Sequence, residues 1–343
     1  TQYGIEMKIE NYLTKTLGID FPVIMAPMHY VSNEKMLVAA MQSGIAGTFP
    51  SLNYRKDGEL EEILDKLNAV KQTIKTGNYG INLIVGKSNP FYEKHLEICV
   101  EKKVPFYITS LGNPDKVIEK AHAYGAIVFS DVTNIKHAKK AADVGCDGFI
   151  AVGNSAGGHA GPESLQVLIP ALRKTFPNKP VIGAGGVATG EGILSMLSLG
   201  AVGVSIGSRF IASTEADVDI TYKQGIVNAG MEDIVMTDRL TGTPSAAIYN
   251  DFIKRLGLKQ GMIERFFSKN KTTKKYFKMY IQYRGMKYLE GKTIKGSKDS
   301  LWMAGKSVEL INDIKPVAEI VDTLISETFE AKVALDSLYK NDL

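Results

Sequence analysis

Between about residue 20 and residue 230 one unit recurs eight times: a short β-branched run, a polar turn, then an amphipathic stretch closing on glycine. The runs are Pro22–Ala26, Ile45–Phe49, Tyr79–Ile84, Pro105–Ser110, Ala126–Asp131, Gly148–Val152, Pro180–Ala184 and Val202–Ile206. Near-continuous apolar strands imply a sheet covered on both faces, the habit of parallel sheets. Helical spacing fills the intervals at Asn33–Ser43, Leu60–Lys75, Tyr92–Lys102, Pro114–Tyr124, Asn134–Val144, Ser164–Thr175 and Gly190–Ser198. Steps of roughly 20 to 25 residues are one strand and one helix each, and eight in succession favour closure into an α/β (β/α)8 TIM barrel. A leucine-rich solenoid has a similar period, but these repeats share no side-chain consensus. An open doubly wound sheet is the runner-up. It would place a glycine-rich turn after its first strand, where this chain has Ala26-Pro27-Met28.

The barrel accounts for residues 1–230. Beyond it, 231–300 has few β-branched runs and many basic residues, among them Lys254, Arg255, Lys259, Lys269, Lys274 and Lys278. Tyr276, Met279, Tyr280, Tyr283, Met286 and Lys287 recur at helical spacings. The expectation is a small, mostly helical basic lobe over the barrel mouth. Residues 301–343 then hold a helical stretch, about Pro316 to Leu338, packing back on the barrel. Lysine plus arginine exceeds aspartate plus glutamate by 41 to 37, a mild excess that speaks against a dedicated nucleic-acid protein. No stretch approaches the roughly 20 apolar residues of a bilayer span, and Thr1–Asp20 has no signal-peptide core. With two cysteines, Cys99 and Cys146, and therefore no disulfide framework, the chain reads as cytoplasmic.

In a barrel of this kind the working face is the carboxyl end of the strands. Strand seven is followed by Gly183-Ala184-Gly185-Gly186 and strand eight by Gly207-Ser208-Arg209. Glycines let backbone N–H groups approach an anion closely, and a helix starting near Gly207 would add its positive end. These two loops are the common phosphate site of the architecture. The loop after strand six, Gly153 to Gly161, is the richest in glycine and carries His159. An imidazole bracketed by glycines can project into a site and move a proton near neutrality. His29, beyond the first strand, is a second candidate for the pocket. His95, His122 and His137 lie in helical stretches and read as surface residues. No histidines and carboxylate have metal-ligand spacing, so no metal is expected.

Five segments together carry a resemblance: Pro22 to Met28, Gly80-Ile81-Asn82-Leu83, Ala156 to Gly161, Gly183 to Gly186, and Ile206 to Phe210. In this order they resemble the nitronate monooxygenase family, formerly called 2-nitropropane dioxygenases, over roughly residues 15 to 230. Trp302-Met303-Ala304-Gly305 is weakly similar to a segment near the family's C-terminal end. The resemblance implies an FMN-dependent barrel that oxidises anionic alkyl nitronates with O2 to a carbonyl compound and nitrite. Ala184, Gly185, Gly186, Gly207 and Ser208 would hold the FMN phosphate. Ala26, Pro27 and Met28 would lie along the isoalloxazine ring, and Asn82 or Ile84 near the ring or ribityl chain. His159 matches the family's catalytic histidine.

Two positions that lie close to the flavin in the family depart from its pattern. Asp131 stands where related barrels often have a lysine, and Val152 where some have an acid. Loss of a cation would weaken stabilisation of an anionic reduced flavin. Flavin-dependent enoyl-acyl-carrier-protein reductases, with NADH or NADPH as reductant, and NADH:quinone reductases share the superfamily and stay open. The reductase motif resembles Gly-Gly-Met where this chain has Ala26-Pro27-Met28. Dihydrouridine synthases, which act on RNA, need a cysteine acid at the mouth, and neither cysteine is expected there. A barrel that merely binds a phosphorylated ligand is the non-enzymatic alternative, and a homodimer is left open.

Overall fold

A computed structural model describes residues 8–86, 89–239, 244–259 and 300–339. Eight parallel strands close into a barrel in sequence order: β1 Val23–Met25, β2 Ala46–Pro50, β3 Asn78–Ile84, β4 Phe106–Ser110, β5 Ile127–Val132, β6 Gly148–Val152, β7 Val181–Ala184 and β8 Gly203–Ile206. Closure is made by β1 on β8, with Val23 opposite Val204 and Met25 opposite Ile206. A closed sheet leaves no edge to recruit other chains. Each strand lies within one residue of its sequence expectation.

The helices outside the barrel are α2 Glu34–Gln42, α3 Glu59–Thr73, α4 Tyr92–Glu101, α5 Asp115–His122, α6 Ile135–Asp143, α7 Leu165–Thr175 and α8 Gly190–Ser198. Short polar side chains start several of them by accepting an otherwise orphaned backbone N–H. Asn33 does so for α2, Asn134 for α6 and Thr189 for α8.

Two apolar layers hold the barrel. Inside it Ile24, Phe106, Ile108, Phe129, Ile150 and Ile182 fill the lumen, with the Phe106 and Phe129 rings edge to face at 5.7 Å. Fully burying each such side chain contributes about 1.5–3 kcal/mol. An N-terminal helix, α1 Tyr12–Leu17, joins this layer through Leu13 and Leu17. Asn11 donates to Val202 O at 2.8 Å and Asn78 donates to Leu17 O at 2.6 Å. Both partners sit where strands begin, so α1 plugs the end opposite the site. The second layer lies between strands and helices. It includes His95, which is buried rather than on the surface as its helical position suggests. Its ring stacks on Phe91 at 5.4 Å, and Tyr92, His95, Leu96 and Cys99 form one buried helical stripe.

After β8 come a single helical turn, α9 Ser208–Ile211, and α10 Ile220–Asn228. An antiparallel hairpin comes next, β9 Ile234–Thr237 with β10 Ser245–Ile248, then α11 Asp251–Leu256. The hairpin is not anticipated by the sequence pattern. The basic helical spacing around Tyr276 to Lys287 lies outside the described residues. The last helix, α12 Val317–Leu338, packs on α8 and α2. Its first N–H groups include that of Val317, which donates to the Glu215 carboxylate at 3.0 Å, and Glu327 accepts from Gly190 N at 2.8 Å. No helix among the described residues is long and apolar enough to cross a membrane.

Candidate active site

The carboxyl ends of the strands surround a cavity of about 1080 Å³, just above the ~300–1,000 Å³ common for small-molecule sites. All the residues singled out from sequence line it. Ala26, Pro27 and Met28 come from the end of β1, Asn82 and Ile84 from β3, Asp131 from β5 and Val152 from β6. Ala184, Gly185 and Gly186 lie at the end of β7, Gly207 and Ser208 just past β8, and His159 enters from the loop after β6. Neither cysteine lines it; both are buried and free.

Gly185 and Gly186 both have left-handed backbone, with φ of 110° and 78°. An L side chain rarely adopts these angles. A Cβ on Gly185 would also stand 2.7 Å from Ala156 N. Two glycines are therefore what allows this turn. Among the described residues, the N–H groups of Gly185, Gly186 and Gly207 donate to no backbone carbonyl. Unpaired amides bordering a cavity are a donor set for an anion, so the residues present fit the phosphate of a cofactor. The expected helix dipole shrinks to one turn, because α9 is four residues long.

The opposite wall is carboxamide, hydroxyl and carboxyl in series. Asn82 Nδ2 donates to Ser110 Oγ at 2.7 Å, and Ser110 Oγ donates to Asp131 Oδ2 at 2.5 Å. Burial pushes the Asp131 carboxyl up to about 6, against the lowering effect of the Ser110 hydroxyl. Ser110 was not singled out from sequence. Its signal was its place at the end of β4, opposite Ile84 of β3 and beside the strand that carries Asp131. The raised value gives a stability prediction. Between pH 4 and 6 the folded protein holds a proton that the unfolded chain has lost, so the carboxyl weakens the fold as pH rises through that window. Asp131→Asn is expected to raise the melting temperature of the flavin-free protein at pH 8 and leave it nearly unchanged at pH 4. Equal shifts at both pH values would remove the buried charge as the cause.

His29 does face the cavity. Its turn is tied down by Asn53, which accepts from Tyr30 N at 2.9 Å and donates to Met28 O and Ser32 O at 3.2 and 3.0 Å. Tyr30 takes a left-handed φ of 59° and is clamped by Arg55, which bonds its hydroxyl and lies 5.3 Å over its ring. Burial, and then the Arg55 guanidinium, pull the His29 imidazole down to about 4 against its hydrogen bond to Asn53. A smaller push comes from His159, which sets the two imidazoles near one another in the cavity. His159 itself is exposed to the cavity mouth.

The loop carrying His159 is held by chain from beyond the barrel. Gly158 pairs with Ala246 of β10 in both directions, N to O at 3.1 and 2.7 Å. Met303 and Ser307 also line the cavity. The Trp302 to Gly305 motif was the sequence signal for this wall.

Strand-end amides, an imidazole and a buried carboxyl gather at the mouth of one (β/α)8 barrel, the working face of an enzyme of this architecture. The chain belongs to the nitronate monooxygenase family, whose profile matches residues 51–327. It is 24% identical over 307 residues to a probable nitronate monooxygenase of Staphylococcus aureus, covering 77% of this chain and 85% of that one. It is also 24% identical, over 96% of its length and 99% of the relative's, to (3aS,4S,5R,7aS)-5-hydroxy-7a-methyl-1-oxo-octahydro-1H-indene-4-carboxyl-CoA dehydrogenase of Rhodococcus jostii. Among solved structures, FabK from Thermotoga maritima superposes with a TM-score of 0.82 at 27% identity, covering 96% of this chain and all of that one. Nitroalkane oxidase from Streptomyces ansochromogenes, at 20% identity, shares the fold with a TM-score of 0.78 over 95% of this chain and all of its own.

Proposed function

We propose that the chain is an FMN-dependent oxidoreductase that oxidises alkyl nitronates with O2 to a carbonyl compound and nitrite. One observation carries this reading: His159 shares a single cavity with the unpaired amides of Gly185, Gly186 and Gly207. Those amides, with Ala184 and the Ser208 hydroxyl, would hold the FMN phosphate. Ala26, Pro27 and Met28 would lie along the ring system, where Pro27 brings no N–H and Met28 a polarizable surface. Asn82, Ile84, Asp131 and Val152 would line the ring and ribityl chain. FMN, when bound, supplies the electron transfer to oxygen.

The protein's own part is position and proton handling. His159 would take the proton from the carbon beside a nitro group and then, as imidazolium, hold the resulting anion. His29 stays neutral down to about pH 4 and offers a polar but uncharged neighbour. With its carboxyl raised to about 6, Asp131 becomes mostly protonated as pH falls below that value, so the departure from a family cation costs least in mildly acidic solution. Above that pH its carboxylate would disfavour added negative charge on the ring.

A second reading is favoured by cavity size and by the resemblance to a CoA-thioester dehydrogenase over nearly the whole chain. On that reading the same imidazole would move a proton beside a thioester carbonyl, with NADH or NADPH reducing the flavin. Anaerobic mixing of the yellow protein with propyl nitronate, NADH and NADPH in separate experiments tests both. Bleaching by the nitronate alone supports the first reading. Bleaching only by a nicotinamide, with turnover of an enoyl thioester, replaces it with the second.

A further inference from the structure

We propose that Ala304 and Gly305 form a strap that positions two parts of the site at once: the hydroxyl of Ser208 and the backbone of the loop bearing His159. The Ser208 half depends on the phosphate assignment above; the grip on the histidine loop does not.

Gly305 N donates to Ser208 Oγ at 2.9 Å, and both residues are buried. A hydroxyl that accepts from a backbone N–H still has its own proton to give. With the amide fixed behind it, that proton turns toward an acceptor in the cavity, and an anionic oxygen beside Gly207 is such an acceptor. Gly305 therefore acts on the cofactor through Ser208, as a positioning residue.

The same dipeptide lies against the histidine loop with no side chain between the two backbones. A Cβ on Gly305 would stand 2.4 Å from Ser155 O and 2.8 Å from Gly157 N. A Cβ on Gly157 would stand 2.8 Å from Ala304 C and Gly305 N. Lys306 N donates to Ser155 O at 3.1 Å, which closes the contact. Backbone cannot swing aside as a flexible side chain can, so adding a methyl group on either face must move the loop.

The strap has a fixed seat at each end. Trp302 stacks on Tyr222 at 5.7 Å with the planes 9° apart, and the Tyr222 hydroxyl donates to Met303 O at 2.7 Å. Further along, Arg209, next to Ser208 in sequence, donates to Asp313 O at 3.0 Å and pairs with its carboxylate. The phosphate turn after β8 and the imidazole loop after β6 are thereby joined through a third segment, bypassing β7.

Gly305→Ala tests this by comparing FMN with riboflavin, which lacks the phosphate. The FMN dissociation constant is expected to rise about tenfold, the scale of one hydrogen bond to a charged group, with a smaller change for riboflavin. Ser208→Ala should lose the same preference for FMN, and the double variant should lose little more than either alone, because both changes cut one connection. Hydrogen exchange at the amides of residues 155–158 should slow when FMN binds the wild type and should not slow in Gly305→Ala. A Gly305→Ala protein that keeps both the FMN preference and the protection overturns the strap. A Ser208→Ala protein that keeps the preference overturns the phosphate assignment instead. If Gly305→Ala yields no folded protein, Trp302→Leu, which removes the ring from its seat on Tyr222, should weaken the same preference; full retention there overturns the strap as well.

Discussion

His159→Asn is expected to stay yellow and to lose about 10²- to 10⁴-fold in turnover of neutral nitroalkanes, the usual contribution of a positioned acid–base group. Asparagine keeps a similar polar volume but cannot take a proton. The amides proposed to hold the phosphate belong to the turns after β7 and β8 and not to the substituted side chain, so cofactor content should persist. His29 is no replacement: burial beside Arg55 leaves it a base of pKa about 4. Preformed nitronates should lose much less, since their proton has already gone. Nitrite release from the nitroalkane and from its nitronate, measured side by side, checks this. Equal turnover of nitroalkane by variant and wild type would take His159 out of the chemistry.

Gly186→Asp is expected to expel the flavin. Two costs combine there. The residue has φ of 78°, a left-handed angle that costs a non-glycine residue on the order of 1–2 kcal/mol. The new carboxylate would also stand beside the amides proposed to hold the phosphate, turning an attractive site repulsive. Any side chain there meets a smaller, shared strain as well: its Cβ would stand 3.2 Å from Ser155 Cβ, so that residue must give by a few tenths of an ångström. FMN affinity should fall by at least about a hundredfold, against roughly tenfold for Gly186→Ala, which carries the strain without the charge. Flavin absorbance after dialysis reads the difference, and an Asp variant that stays yellow would move the phosphate elsewhere.

Much of this architecture can be read from the chain because parallel strands buried on both faces write themselves as unbroken apolar runs. Ile45–Phe49 and Pro180–Ala184 needed no partner to be recognised. The loops at the carboxyl ends of these runs then led to glycine pairs and to His159, since barrel chemistry gathers at one end. His95 went the other way: a histidine in a helix reads as surface, although Tyr92, Leu96 and Cys99 around it mark a buried face at the proper spacing. Ser110 carries no local signature, because its role exists only through neighbours on two other strands. The hairpin is illegible for a different reason. Ile234–Thr237 and Ser245–Ile248 are four residues each, too short for periodicity to separate from helix. Contacts such as Gly158 with Ala246 depend on tertiary approach, which no local pattern encodes.

The Gly158–Ala246 bridge and the backbone contact at Gly305 have a consequence for how the protein comes into being. Ribosomes add roughly 5–20 residues per second and release N-terminal structure first. All eight staves are thus in hand while the segment that orders the imidazole is still being translated. The loop bearing the imidazole is therefore among the last parts of a nascent chain to be fixed in place.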